Sequence, residues 1–166
     1  MNGTLELLKH HRRVYAIDTE AQAQRIQGRI EECRNHPSFA GFRTIDDFRR
    51  SRLRLGGAYV INVLHTLPSV EDRVDLLQSV RRNLRRGGFV LLDVPSFADY
   101  YRERMTPENR YGDGYIFPQG RETYTFYRFS RPEELDEWAA AAGLEFEERI
   151  VDNHHWVRNY RVGTMS

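Results

Sequence analysis

The chain has 166 residues, a formal net charge of +1 and one cysteine. That length suits a single domain, residues 1–166, with a substantial core. The balanced charge gives no global field for nucleic acid or a membrane surface. The lone Cys33 excludes an internal disulfide and a cysteine-only zinc site, and no metal centre is expected. The start, MNGTLELLKHHRR, has no apolar leader run, and no stretch approaches a membrane-spanning length. A soluble cytoplasmic protein is the expectation.

In chain order, residues 4–12 read as a short helix. VYAID, Val14 to Asp18, is an apolar strand ending in a carboxylate. Thr19 then caps a helix, with Gln22 in the capping-box position, and Ile26, Ile30 and Cys33 share one face before Pro37 ends it. An acid at such a strand tip can accept hydrogen bonds from two ribose hydroxyls. It can equally be a surface residue that helps cap the helix. Phe39 to Ile45 is a weaker strand. After it, Asp46-Asp47-Phe48 could hold an adenine amino group and ring face, or form a solvated turn over a core phenylalanine. Arg49 to Gly57 is a basic linker.

The stretch from Ala58 to Pro95 carries the clearest pattern. Tyr59 to Val63 and Phe89 to Val94 are continuous apolar runs, as in strands buried on both faces. Between them Ser69 and Asp72 form a capping box, Val74, Leu77, Val80 and Leu84 line one helix face, and Gly87-Gly88 ends it. This is a βαβ unit with a right-handed crossover. Ligands on such sheets bind beyond the carboxyl ends of the strands. That edge carries Asn62, His65, Thr66, Asp93 and Ser96.

Residues 96–129 form an insertion holding half of the aromatic residues. It leaves the carboxyl end of the last central strand, so it can fold over the site as a lid, or it can be a satellite core. Ser130 with Glu133 reads as another capping box, ahead of a helix with Leu135, Trp138, Ala139 and Ala142 on its apolar face. Leu144, Phe146 and Ile150, then Trp156, Tyr160 and Val162, give a terminal hairpin around Asp152-Asn153.

In their order and spacing, VYAID, INVLHTLP, NLRRGGFVLLDVP, the helix from Ser130 and the closing hairpin resemble the class I S-adenosylmethionine-dependent methyltransferases of small-molecule type. The resemblance implies a Rossmann-like three-layer α/β/α sandwich, mostly parallel, with an antiparallel C-terminal hairpin. It implies S-adenosylmethionine as cofactor. Asp18 would take the ribose hydroxyls and Asp46 or Asp47 would approach the adenine. Asn62, Val63 and Leu64 would line the cofactor floor. His65 would be the general base or a hydrogen-bonding residue at the loop mouth. Tyr100, Tyr115 and Tyr127 would come from the lid. No Asp/Asn-Pro-Pro-aromatic tetrad follows INVLHTLP, so a DNA base is not the expected acceptor.

The family's first strand and Gly-rich loop are absent, and NGTLELL looks like the tail of that loop. The chain therefore reads as truncated at its N-terminus. Val14 to Ile17 then needs Tyr59 to Val63, or a strand from a partner chain or second copy, beside it. Binding of the cofactor by this chain alone should be weak. The competing reading is a non-catalytic, methyltransferase-like protein-binding module. A dehydrogenase of the Tyr-x-x-x-Lys type is disfavoured, because Lys9 is the only lysine.

Overall fold

A computed structural model describes residues 2–96, 99–118, 124–152 and 155–163. It divides into two compact units, residues 1–52 and 53–166.

The first unit is a βαβ element. Strand β1 (Val14–Asp18) lies parallel to β2 (Phe39–Thr44), with Ala16 opposite Phe42 and Asp18 opposite Thr44. Helix α1 (Asn2–His10) contributes Leu8, which is buried with Val14 and Cys33 against Leu5, Leu7 and Phe39. Thr19 caps the next helix through its hydroxyl, which accepts from Gln22 N–H at 3.2 Å. The single helix expected there is two: α2 (Glu20–Arg25) and α3 (Gln27–Arg34) break at Ile26, with φ −111° and ψ 20°. α2 buries nothing, whereas α3 buries Ile30 and Cys33. With no apolar face on α2 and Gly28 just beyond, nothing enforces one continuous axis. Helix α4 (Ile45–Arg50) is capped by Thr44, whose hydroxyl accepts from Asp47 N–H at 3.1 Å, and it buries Phe48. Among the described residues β1 bonds only to β2, so its other edge is open.

The second unit is built on a four-stranded sheet of order β3-β4-β9-β8. Strands β3 (Leu55–Ile61) and β4 (Leu84–Pro95) are parallel; β8 (Leu144–Val151) and β9 (His155–Val162) form the antiparallel C-terminal hairpin. Helix α5 (Val70–Asn83) makes the crossover, with Ser69 Oγ accepting from Asp72 N–H at 3.0 Å. Val60, Val90, Leu92 and Val94 are buried on one sheet face; Leu77 and Val80 of α5 and Leu135 and Ala139 of α7 (Pro132–Ala141) are buried with the helices that pack on the sheet. Each such valine or leucine contributes roughly 1.5–3 kcal/mol by leaving water.

Two local expectations shift. α5 stops at Asn83 rather than at Gly87-Gly88, and β4 already starts at Leu84, pairing with Leu55. The apolar Leu84 satisfies a helical i+4 spacing and a strand start equally, and sheet pairing wins. Gly87 has φ 68° inside this strand, where the β3–β4 register slips between Leu55 and Gly57. Gly57 itself is required by packing, because a Cβ there would lie 2.2 Å from the Phe89 ring. The second shift is at α7, whose start is fastened by Glu134: its carboxylate accepts from Arg131 N–H at 2.8 Å. Ser130, expected as the cap, is buried, and its hydroxyl has no partner among the described residues.

The insertion contains the short helix α6 (Asp99–Arg102) and a separate antiparallel sheet, β5 (Arg110–Tyr111), β6 (Gly114–Pro118) and β7 (Tyr124–Tyr127). Gly112, at φ 56°, makes the tight β5–β6 turn.

Candidate functional site

The site lies at the carboxyl end of β3 and β4. Asn62 follows β3 in the left-handed region, at φ 56°, while its N–H still donates to Asp93 O at 2.9 Å. Asparagine tolerates this conformation better than most side chains. The chain thus turns off the sheet at once and enters a 3-10 turn, Leu64–Thr66. Thr66 ties the turn, with its N–H and hydroxyl both donating to Val63 O, at 2.9 and 2.7 Å.

Within this turn the expected residues divide. Asn62 is exposed and Val63 half-buried. Leu64 is wholly buried, so its side chain offers nothing to a ligand, and its carbonyl accepts from Arg73 Nε at 3.2 Å. His65 is 7 % exposed. Burial, and then the charge of nearby His155, push its imidazole down to about 4, so it is neutral at ordinary pH. Among the described residues its buried Nδ1 has no partner.

The residue that the sequence reading missed is His155. It opens β9, opposite Pro95 in the antiparallel register, and its Nδ1 meets Asp93 Oδ1 at 2.5 Å. Asp93 holds the tip of β4. The His155 side chain is 32 % exposed, so a ligand can reach it. A signal existed in DNHHW: a return strand that begins with histidine, beside a parallel strand that ends in aspartate.

The insertion covers this edge. Arg128 N–H donates to His65 O at 3.0 Å. The Tyr127 ring packs edge-on to the His65 ring, centroids 4.9 Å apart, and touches Tyr101 at 4.6 Å. Burial, with Tyr101 second, raises the Tyr127 hydroxyl to about 12, so it is no base near neutrality. Tyr115 lies beside Phe117 with parallel rings 6.4 Å apart. The side chain of Tyr100 lies outside the described residues.

An ion network fastens the cover. Arg73 is fully buried; it donates to Asp113 from Nη1 and Nη2, at 2.7 and 3.1 Å, and to Leu67 O. Arg128 bonds Asp113 and Glu134, each at 2.5 Å. Both guanidiniums lie over the Trp138 ring, at 4.9 and 5.2 Å. Burial opposes the charge of Asp113 and of Glu134, but the arginines outweigh it and hold both carboxyls below their ordinary values.

Three expected residues belong to the first unit. Asp18 is half-buried at the tip of β1; its Oδ1 accepts from Thr19 N–H at 2.8 Å, and its second oxygen makes no hydrogen bond among the described residues. Asp46 and Asp47 are exposed and face Arg49 and Arg50 across one helical turn, at 3.7 and 3.1 Å. Among the described residues no group of three or more His, Cys, Asp or Glu could hold a metal, and no helix is long and apolar enough to cross a membrane.

No protein-family model matches this chain, and neither does any curated protein. Solved structures do match. A SAM-dependent methyltransferase from Methanosarcina mazei superposes with a TM-score of 0.71 at 17% identity, over 95% of this chain and 85% of that one. An S-adenosylmethionine-dependent methyltransferase from Clostridium acetobutylicum gives 0.69 at 11% identity, over 98% and 80%. The CcbJ methyltransferase from Streptomyces caelestis gives 0.65 at 18% identity, over 91% and 80%.

The first two of these enzymes depend on S-adenosylmethionine. The free carboxylate oxygen of Asp18 suits a ribose hydroxyl, and the exposed Asn62 and partly exposed Asp93 supply polar groups at the ligand edge of their own unit. Each of these groups, taken by itself, has the chemistry to bind a polar part of such a cofactor. With β1–β2 and β3–β4 parallel and an antiparallel hairpin at the C-terminus, this chain has the Rossmann-like fold of the class I S-adenosylmethionine-dependent methyltransferases.

Proposed function

We propose that this chain is a S-adenosylmethionine-dependent methyltransferase acting on a small-molecule acceptor. The observation that carries the reading is the cluster of Asn62, His65, Asp93 and His155 at the carboxyl edge of two parallel strands, under an aromatic cover. The bound cofactor supplies an electrophilic methyl group. The chain's own residues position and shield. Asp18 binds the ribose, with Asp46 or Asp47 near the adenine and Asn62 and Val63 at the floor. The sheet of the insertion acts as a lid, with Tyr127 and Tyr115 excluding water from the acceptor. His65, neutral and buried, orients rather than takes protons.

Among the described residues β1 pairs only with β2 and β3 only with β4, which supports addition of a strand from a partner chain or second copy at either edge. Such a strand would strengthen cofactor binding, which for this chain alone is expected to be weak. The same edges favour the second reading, a non-catalytic binding module. Amide chemical-shift mapping with S-adenosylhomocysteine at millimolar concentration decides between them. Shifts at Asn62, Asp93 and His155, with Asp18→Ala weakening the effect, support the enzyme. No shift with either S-adenosylhomocysteine or S-adenosylmethionine overturns it.

A further inference from the structure

The histidine of the β3 loop is a poor proton acceptor. It is buried, low in basicity, and among the described residues its Nδ1 has no partner to fix a tautomer. The histidine that opens β9 is placed differently. Its Nδ1 is held by the Asp93 carboxylate at 2.5 Å and its ring is partly exposed on the same edge. A carboxylate only accepts, so Nδ1 carries the proton in this contact and Nε2 is left bare. A carboxylate behind an imidazole fixes that tautomer and stabilises the imidazolium once it forms.

We propose that His155, oriented by Asp93, is the proton acceptor of the reaction, and that the acceptor substrate bears a phenol-type hydroxyl whose proton must leave. This rests on the methyltransferase reading. His155 Nε2 gains the proton that the hydroxyl loses as its oxygen bonds the methyl carbon. The carbon–sulfur bond breaks, the sulfonium becomes a neutral thioether, and the imidazolium passes its proton to water. An acceptor that is already anionic would need no such partner. His155 touches substrate and is the catalytic residue; Asp93 is a positioning residue. Among the described residues the His155 ring interacts with Asp93 from β4 and with His65 from the 3-10 turn, while Asp152 Oδ1 accepts from the His155 backbone N–H at 3.1 Å.

Long-range nitrogen–proton NMR of the full chain at about pH 8, where an ordinary histidine is neutral, reads the tautomer without any substrate. The expected result is His155 as the single Nδ1–H form, lost in Asp93→Asn. A free imidazole favours the other form, so His155 as the Nε2–H form overturns the proposal. On the same sample, S-adenosylhomocysteine mapping tests the underlying reading separately. Retained tautomer without cofactor binding rejects the methyltransferase and, with it, the step. Labelled cofactor with phenol and 4-nitrophenol as probes supplies the kinetic arm. His155→Gln should lower methylation of the un-ionised phenol by about 10²–10⁴-fold, spare cofactor binding, and affect the ionised probe far less. Equal loss on both probes overturns the acid–base role. No methylation of either by the wild-type chain overturns the hydroxyl assignment.

Discussion

Arg73 and His65 are both buried beside the same 3-10 turn, and their surroundings differ in kind. Arg73 spends its donors on Leu64 O, Leu67 O and the Asp113 carboxylate, and the Trp138 ring lies under its plane. With Arg128 and Glu134 the network balances two cations against two anions. His65 has a buried nitrogen with no partner among the described residues, and its neighbour His155 offers half of a pair to whatever enters. A network satisfied within itself fastens the fold, because any break leaves a charge stranded. Groups left over at a strand tip are available for a ligand. Satisfaction, rather than burial or charge, separates the two roles along this edge.

That contrast can be broken by experiment. Arg73→Met should have the largest effect, a loss of about 3–5 kcal/mol, because it breaks a buried ion pair, leaves Asp113 with Arg128 alone and removes the guanidinium donors to Leu64 O and Leu67 O. Urea unfolding would measure it, and a loss below about 1 kcal/mol would mean that the network does not fasten the cover. The next effect depends on pH. His65 protonates near 6.5 when unfolded but at about 4 when folded. Above 6.5 neither state holds that proton and stability is intact. As pH falls from 6.5 to 4 the unfolded state gains it first, so stability drops by up to about 3 kcal/mol. His65→Gln should flatten that slope. The two acids act in a lower window: the stability they lend is intact above their unfolded values near ~4 and is lost as pH falls through their depressed folded values.

Glu134→Gln should cost roughly 1–3 kcal/mol, by weakening one charge-assisted bond to Arg128 and the tie to Arg131 N–H. Thermal melting at neutral pH would show it. The smallest effect sharpens the comparison from the other side. Ser130 has a buried hydroxyl with no partner, so Ser130→Ala should be neutral or stabilising by at most ~1 kcal/mol. A clear destabilisation would place the hydroxyl in the fastening network.

Much of the fold is legible in the chain because its signals are local. The Ser69 cap and the apolar runs around Val60 and Leu92 place the central unit, and the alternation from Leu144 to Val162 places the hairpin. The end of α5 was not, since Leu84 fits either period. At the site, His65 and Asp93 stand out as strand-tip residues. His155 does not, because its meaning depends on a return strand that brings it to Asp93 across 62 positions. Asp113 is likewise ordinary in sequence and acquires its role only when Arg73, 40 positions away, reaches it. Long-range pairing of polar side chains leaves no periodic trace.

The open edges of β1 and β3 carry a consequence for assembly symmetry. Two copies that join β3 to β3 across a two-fold axis run antiparallel and close at two chains. Copies that join the β1 edge of one to the β3 edge of the next are related head to tail, and nothing in that rule stops at two. The same backbone groups can therefore yield a finite dimer or a growing file of molecules. Which is reached depends on whether β3 meets a second β3 or the β1 edge of another copy. Sedimentation across a concentration series would separate them: one plateau mass marks the closed form, and a mass that climbs with concentration marks the open one.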